Sequence, residues 1–229
     1  METHESFFPD GDLLLHGGDH TIAGTRDELR RASEWLKKVS QKFRFGVCCV
    51  GGNHDIPLDR ESFLLWKDAS KVTDAPMGEP LGNWTEEQLI VTEQQFPNLL
   101  NHELVSIAGL TIFGSPFVPL TPSRQKLSAD DPLRFLGFNR SDASLEQLYS
   151  VIPDGIDVLI THTPPHGILD LSVQYGGIER AIAISIGSTV LARQIQRIKP
   201  LIHLFGHEHD CRGMKEHDGT VFVNVSNER

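Results

Sequence analysis

The sequence predicts an α/β fold in which two sheets pack together and helices cover their outer faces. Four short apolar runs each end in a glycine-rich or polar tip, which is typical of buried strands that stop in tight loops. A helical segment between the first two runs predicts that their strands are parallel and joined by a crossover. The 229 residues suffice for one sizeable core, so a single domain is expected over 1–229.

The first part of the chain predicts a strand, a helix and a second strand. DLLLHGGD (12–19) is the first strand with its loop, and FRFGVCCVGGNHD (43–55) repeats the pattern. Between them, Thr25 and Glu28 form a capping box ahead of helically spaced apolar residues. Cys48 and Cys49 are neighbours in the second strand, where their side chains face opposite sides, so no disulfide framework is expected.

The remainder of the chain supplies a hairpin, three strands and two capped helices. HELVSIAGLTIFGSP is expected to form the hairpin or two closely linked strands, and Ser141 and Ser188 are expected to cap helices. Prolines interrupt the segments 60–100 and 116–140, which are expected to be variable cap or loop segments. The three strands come from DVLITHTPPHG, LIHLFGHEHD and VFVNV.

Charge and hydropathy exclude several classes of partner. The formal net charge of -10 argues against extended nucleic-acid binding, which requires Lys and Arg to displace counterions. No apolar run approaches the roughly 18 residues of a membrane helix, and the start lacks the order of a signal peptide. We therefore expect a cytoplasmic protein with no membrane partner.

Polar side chains follow four of the predicted strands at the points where they end. The first two strands deliver Asp19 and Asn53, and the two later strands deliver His162 and the pair His207 and His209. Because the carboxyl ends of strands in an open α/β sheet are where ligands bind, these side chains are expected to converge. One carboxylate, one amide oxygen and three imidazoles suit Mn, Fe or Zn.

These blocks resemble the calcineurin-like metallophosphoesterases. GGD (17–19), GGNHD (51–55), THTPP (161–165) and GHEH (206–209) match four of that family's motifs in order. The resemblance is strongest to the small metallophosphoesterase-domain-containing proteins, which are similar to cyclic nucleotide phosphodiesterases. It implies a four-layer αββα sandwich. Glu2-Thr3-His4 falls where the family has Asp-x-His, and no residues remain for the strand that leads into it, so the fold is expected to lack the first β-strand.

The resemblance also implies a role for each site residue and two divalent metal ions. Asp19 would bridge the ions, with Asn53, His162 and His207 on one of them and His209, His4 and Glu2 on the other. His54 would be the catalytic histidine near the leaving group, with Asp55 assigned to the catalytic group beside it, orienting His54 or a neighbouring ligand.

The expected function is metal-dependent phosphoester hydrolysis by a metal-bound hydroxide. The first substrate expectation is a phosphodiester or nucleotide, with a phosphomonoester left open. The alternative is a metal- or nucleotide-binding protein with weak or no turnover, because the first metal-binding motif is shortened. The oligomeric state is not predicted.

Further polar residues near these motifs receive other interpretations. His203 lies in an apolar run and is expected to be packed in the core. His16 and His20 either line the pocket or reflect only their strand position. Glu208 and Asp210 alternate with the two histidine ligands, so an extended backbone would turn them away from the metals and into solvent.

Overall fold

The computed structural model describes residues 8–69, 85–121, 125–126, 137–175 and 181–227. The described strands are β1 (Leu14–His16), β2 (Val47–Val50), β3 (Leu99–Leu100), β4 (Glu103–Ile107), β5 (Leu110–Ser115), β6 (Val118–Pro119), β7 (Asn139–Arg140), β8 (Val158–Thr161), β9 (Leu171–Tyr175), β10 (Ala181–Ser185), β11 (Ile202–Phe205), β12 (Gly213–His217) and β13 (Thr220–Asn224). The described α-helices are α1 (Arg26–Ser40), α2 (Arg60–Ala69), α3 (Glu86–Gln95), α4 (Asp142–Ser150) and α5 (Thr189–Ile198). Short 3-10 turns occupy Ile56–Leu58 and His209–Cys211.

Two main sheets carry the strands that end at the predicted site. The first has the order β1-β2-β3 and is parallel throughout. The second has the order β12-β13-β11-β8-β5-β4, with a parallel centre and antiparallel strands at both edges. β9 and β10 form a separate antiparallel hairpin, and β6 pairs with β7. β1, β2, β8 and β11 are the four strands that the motifs predicted.

The side chains of β2 show how the layers pack. Cys48 and Val50 belong to an apolar cluster with Ile112 and other residues of the second sheet, whereas Cys49 packs in the cluster that contains Leu29 of α1. β8 alternates in the same way, so each sheet has one face toward its partner sheet and one toward helices. This arrangement confirms the predicted αββα sandwich. The three cysteines are free, as expected.

The predicted helix caps and the hairpin are also present. The Thr25 hydroxyl accepts a hydrogen bond from the Glu28 amide, and the Glu28 carboxylate accepts one from the Thr25 amide, which completes the capping box. Ser141 and Ser188 cap α4 and α5 through their hydroxyls. β4 and β5 form the predicted hairpin around Ala108-Gly109, where both residues have positive φ.

The segments predicted to vary are described only in part. Within 60–100 the chain forms α2, α3 and β3, and within 116–140 it forms β6 and β7. Residues 70–84, 122–124 and 127–136 lie outside the described residues, as does the stretch 1–7 on which the prediction about a first strand depends. None of the helices in the described parts has the length and hydropathy needed to cross a membrane.

Candidate metal centre

The loops after β1, β2, β8 and β11 bring four of the predicted ligands together. The His162 imidazole is at the centre, with its Nε2 atom 3.0 Å from Asn53 Oδ1 and 3.3 Å from Asp19 Oδ2. His207 Nδ1 lies 3.2 Å from the same nitrogen. Ligand atoms of Asp19, His162 and His207 all lie within 4.8 Å of one another. The cluster therefore joins the carboxyl ends of strands from both sheets.

A backbone carbonyl fixes which nitrogen His162 presents to this cluster. Its Nδ1 atom lies 2.7 Å from the Gly17 carbonyl oxygen, and the side chain is 1% exposed. Because a carbonyl only accepts hydrogen bonds, Nδ1 carries the proton and Nε2 of the neutral ring offers a lone pair. The carboxylate of Asp19, the amide oxygen of Asn53 and the second imidazole then face that lone pair with lone pairs of their own. Such a donor set fits a divalent cation.

The electrostatics of the cluster favour a carboxylate at Asp19 and a neutral imidazole at His207, which are the protonation states that metal ligands require. Burial opposes ionisation of Asp19, but the neighbouring His162 outweighs it and lowers the pKa of the Asp19 carboxyl. Burial, followed by the charge of His162, lowers the pKa of His207 to about 3. Burial also disfavours charge on His162, but Asp19 outweighs burial and raises the pKa of His162. Near neutral pH the site therefore contains a carboxylate and a neutral His207 imidazole that can bind a metal.

Two ligand residues of the cluster have a strained backbone, and two glycines beside them have no room for a side chain. Asp19 and His207 have φ values of 56° and 72°, in the left-handed region that residues with a Cβ adopt rarely. A Cβ on Gly52 would lie 2.3 Å from Asp19 Oδ1, and a Cβ on Gly18 would lie 2.6 Å from the Gly51 carbonyl oxygen. The glycines before the ligands are therefore needed for the two loops to approach each other.

Asp55 is buried beneath the cluster and joins its two loops. Its carboxylate accepts hydrogen bonds from the amides of Gly52 at 2.9 Å, Thr21 at 3.0 Å and His20 at 3.1 Å. The Thr21 hydroxyl also donates to it at 2.9 Å. Burial and then the charge of Asp19 raise the pKa of Asp55 to about 6. The sequence assigned Asp55 to the catalytic group, orienting His54 or a neighbouring ligand, and these contacts suit the second of these roles because they hold the loop that carries Asp19.

His54 and His209 both bind backbone carbonyls through Nδ1. His54 Nδ1 lies 2.6 Å from the Ile22 carbonyl, and His209 Nδ1 lies 2.6 Å from the Asn227 carbonyl. Both rings therefore keep Nε2 available for other partners. The His54 amide donates to Asp19 Oδ1 at 3.0 Å, which places His54 directly beside the cluster.

The second predicted metal position is described only in part. His209 begins the 3-10 turn after β11, and its charge is close enough to contribute to the lowered pKa of His207. His4 and Glu2, the other predicted ligands of that ion, lie outside the described residues.

The prediction for Glu208 is wrong, because the chain after Gly206 is not extended. The backbone of His207 is in the left-handed region, and a 3-10 turn begins at His209. Glu208 is therefore 6% exposed and lies inside the protein. Asp210 is exposed, yet its carboxylate accepts a hydrogen bond from the Val173 amide at 2.7 Å. This bond ties the β9–β10 hairpin to the loop that presents His209.

Three other histidines support the surrounding structure. His203 is fully buried as predicted, and its Nε2 atom lies 2.8 Å from the hydroxyl of Thr161, the residue before His162. His16 and His20 stack with ring centroids 4.5 Å apart. His20 Nε2 lies 2.9 Å from the Val50 carbonyl, and His16 Nδ1 accepts a hydrogen bond from the Gly18 amide. In these contacts both rings hold the loops that carry Asp19 and Asn53.

Two contributors to the site were not identified from the sequence. Phe138 packs so closely against the Asn53 loop that a Cβ on Gly51 would lie 2.4 Å from its ring, and the neighbouring Gly137 amide donates to the Asn53 carbonyl. Thr21 links Asp55 to the His54 carbonyl through its hydroxyl. Neither residue belongs to a motif, and the contact of Phe138 with Gly51 spans a long stretch of chain that no local pattern encodes.

The chain is similar to the members of one protein family and to a solved structure. Residues 3–211 match the family model described as calcineurin-like phosphoesterase. A UPF0046 protein of Caenorhabditis elegans is 33% identical over 98% of this chain and 67% of its own length. The human metallophosphoesterase domain-containing protein 1 is 30% identical over 95% of this chain and 60% of its own length. The chain thus spans about three fifths to two thirds of these relatives. A solved crystal structure with 16% identity superposes with a TM-score of 0.50 over 94% of this chain and 79% of that chain, which supports the fold.

Proposed function

The chain belongs to the calcineurin-like phosphoesterase family, and from that premise we propose that it hydrolyses a phosphodiester with the help of two divalent metal ions. The observation that carries the proposal is the convergence of lone pairs from Asp19, Asn53 and His207 on Nε2 of His162. Metal ions bound there would polarise the phosphoryl oxygens and lower the pKa of water to supply the nucleophile. Manganese, iron or zinc fits these ligands.

The predicted ligands are assigned to the two proposed metal ions according to their positions. Asp19, Asn53, His162 and His207 would hold one ion, and His209 would contribute to the second. Asp19 has a second carboxylate oxygen, Oδ1, which already accepts the His54 amide and so fixes the orientation of the carboxylate. That orientation supports a bridging role for Asp19.

His54 is the residue that we assign to the departing oxygen of the ester. Its Nδ1 proton is directed to the Ile22 carbonyl, so Nε2 is the atom that can reach a substrate. A protonated Nε2 can donate to the leaving oxygen as the ester bond breaks. Its contribution should then be largest for esters whose leaving group is a poor one, because those esters need the proton most.

The charge of the protein supports a diester over a monoester. The chain has a formal net charge of -10, and the buried Asp55 and Glu208 add carboxylates close to the cluster. A diester has one negative charge, whereas a monoester has up to two near neutral pH, so the diester meets less repulsion. A nucleotide diester is the substrate class that this argument and the family resemblance support together.

The test is hydrolysis of bis(p-nitrophenyl) phosphate and p-nitrophenyl phosphate with added manganese, beside a His54→Ala variant. We expect turnover that depends on metal and is faster with the diester. Because p-nitrophenolate departs readily without a proton, the variant should lose less than the roughly 10²- to 10⁴-fold that a positioned general acid contributes to esters with poor leaving groups. His217→Ala, an exposed histidine on β12, is the matched control and should keep full activity. Metal content measured on the same samples separates a loss of chemistry from a loss of ions.

Stoichiometric metal with no turnover above the His54→Ala level would contradict the proposal. That result would favour the alternative, a metal- or nucleotide-binding protein. Faster hydrolysis of the monoester would retain the phosphoesterase and overturn the preference for diesters.

A further inference from the structure

Ile22 is a large apolar side chain held out into solvent beside the proposed catalytic histidine. It is 80% exposed, and its carbonyl accepts the Nδ1 hydrogen bond of His54 at 2.6 Å. Three residues earlier in the chain is Asp19, whose carboxylate accepts the His54 amide. Ile22 therefore borders the site on the side of His54. The inference that follows rests on the proposed function.

The backbone around Ile22 is fixed, so its exposure is a property of the fold. The Ile22 amide donates to Glu28 Oε1 at 3.3 Å, and the Ala23 amide donates to Glu28 Oε2 at 3.1 Å. On the other side, Thr21 binds Asp55 through its amide and hydroxyl. A single exposed isoleucine is common on protein surfaces. Here, however, both the amide and the carbonyl of Ile22 form hydrogen bonds, and the partner of the carbonyl is His54.

A fixed apolar group at this place can bind an apolar part of a ligand. Exposing an isoleucine side chain forgoes stabilisation that burial would provide, and a ligand that covers the side chain recovers it without having to order the loop. Because His54 faces the leaving group, the covering ligand part belongs to that group. We propose that Ile22 is a specificity-determining residue that contacts an apolar or aromatic leaving group of the phosphoester.

The charges near Ile22 also restrict the leaving group. Glu28 supports the Ile22 backbone, and burial disfavours its ionisation, but hydrogen bonds from the amides and the hydroxyl around it outweigh burial and lower the pKa of Glu28. Glu28 therefore remains a carboxylate near neutral pH, whereas the neighbouring Asp27 is paired with Arg30 and Arg31. A phosphate of the leaving group placed beside the Glu28 carboxylate would be repelled. A neutral alcohol or phenol with an apolar or aromatic face, such as a nucleoside, suits this side of the site.

The test compares kcat and KM for methyl p-nitrophenyl phosphate in metal-loaded wild type, Ile22→Ala and Ile22→Leu. Truncation to alanine should raise KM about tenfold with little change in kcat, since it removes apolar contact and leaves His54 in place. Leucine restores an apolar surface, so its KM should stay within about twofold of wild type. Leu201→Ala, which truncates a side chain that is 60% exposed before β11, controls for a general surface effect.

Each outcome of this experiment has a distinct meaning. Wild-type turnover with an unchanged KM in Ile22→Ala would overturn the role of Ile22 and leave the proposed function standing. An equal loss in Ile22→Leu and Ile22→Ala would also overturn it, because a structural effect on His54 would then explain both. An absence of wild-type turnover would overturn the proposed function and, with it, this inference.

Discussion

At the scale of single residues, the site depends on backbone carbonyls that orient imidazole rings. His162, His54 and His209 each place Nδ1 against a carbonyl, of Gly17, Ile22 and Asn227 respectively. Each ring therefore turns Nε2 toward other partners, and at His162 that nitrogen meets the oxygen atoms of two ligands. Fixed rings hold their lone pairs in place before an ion arrives, which reduces the cost of binding.

Gly52→Ala tests how closely the loops that carry Asp19 and Asn53 must approach for the proposed metal to bind. Its Cβ would lie 2.3 Å from Asp19 Oδ1 and 2.5 Å from the Asp19 amide nitrogen, so Asp19 must shift. We expect the affinity for manganese to fall about 10- to 100-fold, measured by titration calorimetry. Gly11→Ala is the matched control, because its Cβ would find only an ordinary contact at 3.5 Å. Equal affinities in the two variants would mean that the approach of Gly52 to Asp19 is not required.

At the scale of elements, a buried ion pair fastens β7 to the segment that follows the Asn53 loop. Arg140 on β7 binds both oxygens of Asp59, at 2.9 and 3.0 Å, and the two side chains are 11% and 5% exposed. The Phe138 amide and the Ser62 hydroxyl donate to the same carboxylate. These contacts place Phe138 against Gly51 and thereby support the loop that carries Asn53 and His54.

Asp59→Ala should be strongly destabilising. It removes the bidentate partner of the largely buried Arg140 and leaves it an ion pair with the exposed Glu61 at 3.0 Å, so the expected cost is toward the lower end of about 3–5 kcal/mol in the free energy of unfolding. Urea denaturation followed by circular dichroism measures this cost. Arg30→Ala breaks two exposed ion pairs with carboxylates on α1 and should change the midpoint of unfolding very little. A small effect of Asp59→Ala would show that the pair is not important for stability.

His203 on β11 should make stability depend on acid pH. Burial lowers the pKa of His203 from 6.5 to about 3 in the folded protein. Between these values the unfolded chain binds the additional proton, so the stabilising contribution is present above 6.5 and is lost as the pH falls toward 3. His203→Gln should flatten the dependence of the unfolding free energy on pH by about 1.4 kcal/mol per pH unit in that window.

The control for this measurement is His217→Gln, which alters a histidine that is 54% exposed on β12. It should retain the wild-type slope between pH 4 and pH 6. A slope in His203→Gln that equals the wild-type slope would show that His203 is protonated without loss of the fold.

At the scale of the whole molecule, the sandwich places the carboxyl ends of strands from two sheets side by side. β1 and β2 supply Asp19 and Asn53 from one sheet, and β8 and β11 supply His162 and His207 from the other. A metal bound between them links both halves of the molecule. Because the unfolded chain does not hold these ligands together, metal binding should stabilise the native state as a whole.

Thermal unfolding should therefore respond to manganese. At a free concentration 100 times the dissociation constant, the gain is about 2.7 kcal/mol, which for a protein of this size raises Tm by roughly 5–10 °C. Differential scanning calorimetry with manganese or with EDTA measures the shift. His162→Ala should abolish it, and a similar shift in that variant would point to binding elsewhere.

The sequence was most informative where chemistry and local structure coincide. The glycine-bounded strands, the Thr25–Glu28 capping box and the hairpin at Ala108-Gly109 follow from short-range rules, and the structure contains each of them. The grouping of Asp19, Asn53, His162 and His207 followed from the order of strand ends. The prediction that Glu208 is solvated failed because it assumed an extended backbone. His207, which precedes it, has a positive φ that turns the chain and buries Glu208.

Long-range contacts account for what the sequence did not predict. Asp55 binds residues more than thirty positions away, and Phe138 meets Gly51 across more than eighty positions of the chain. Such pairs depend on how the layers pack, and one chain provides no pattern that links them. The same holds for the exposure of Ile22, whose backbone is held by hydrogen bonds to Glu28 and His54.

The most direct test of the proposed metal centre is the number of divalent ions bound per chain in wild type and in Asp19→Ala. Inductively coupled plasma mass spectrometry after dialysis against manganese gives this number, and circular dichroism confirms that both proteins are folded. We expect two ions per wild-type chain and none in Asp19→Ala, because the only proposed bridging carboxylate is gone. Two ions retained by the folded Asp19→Ala protein would contradict it.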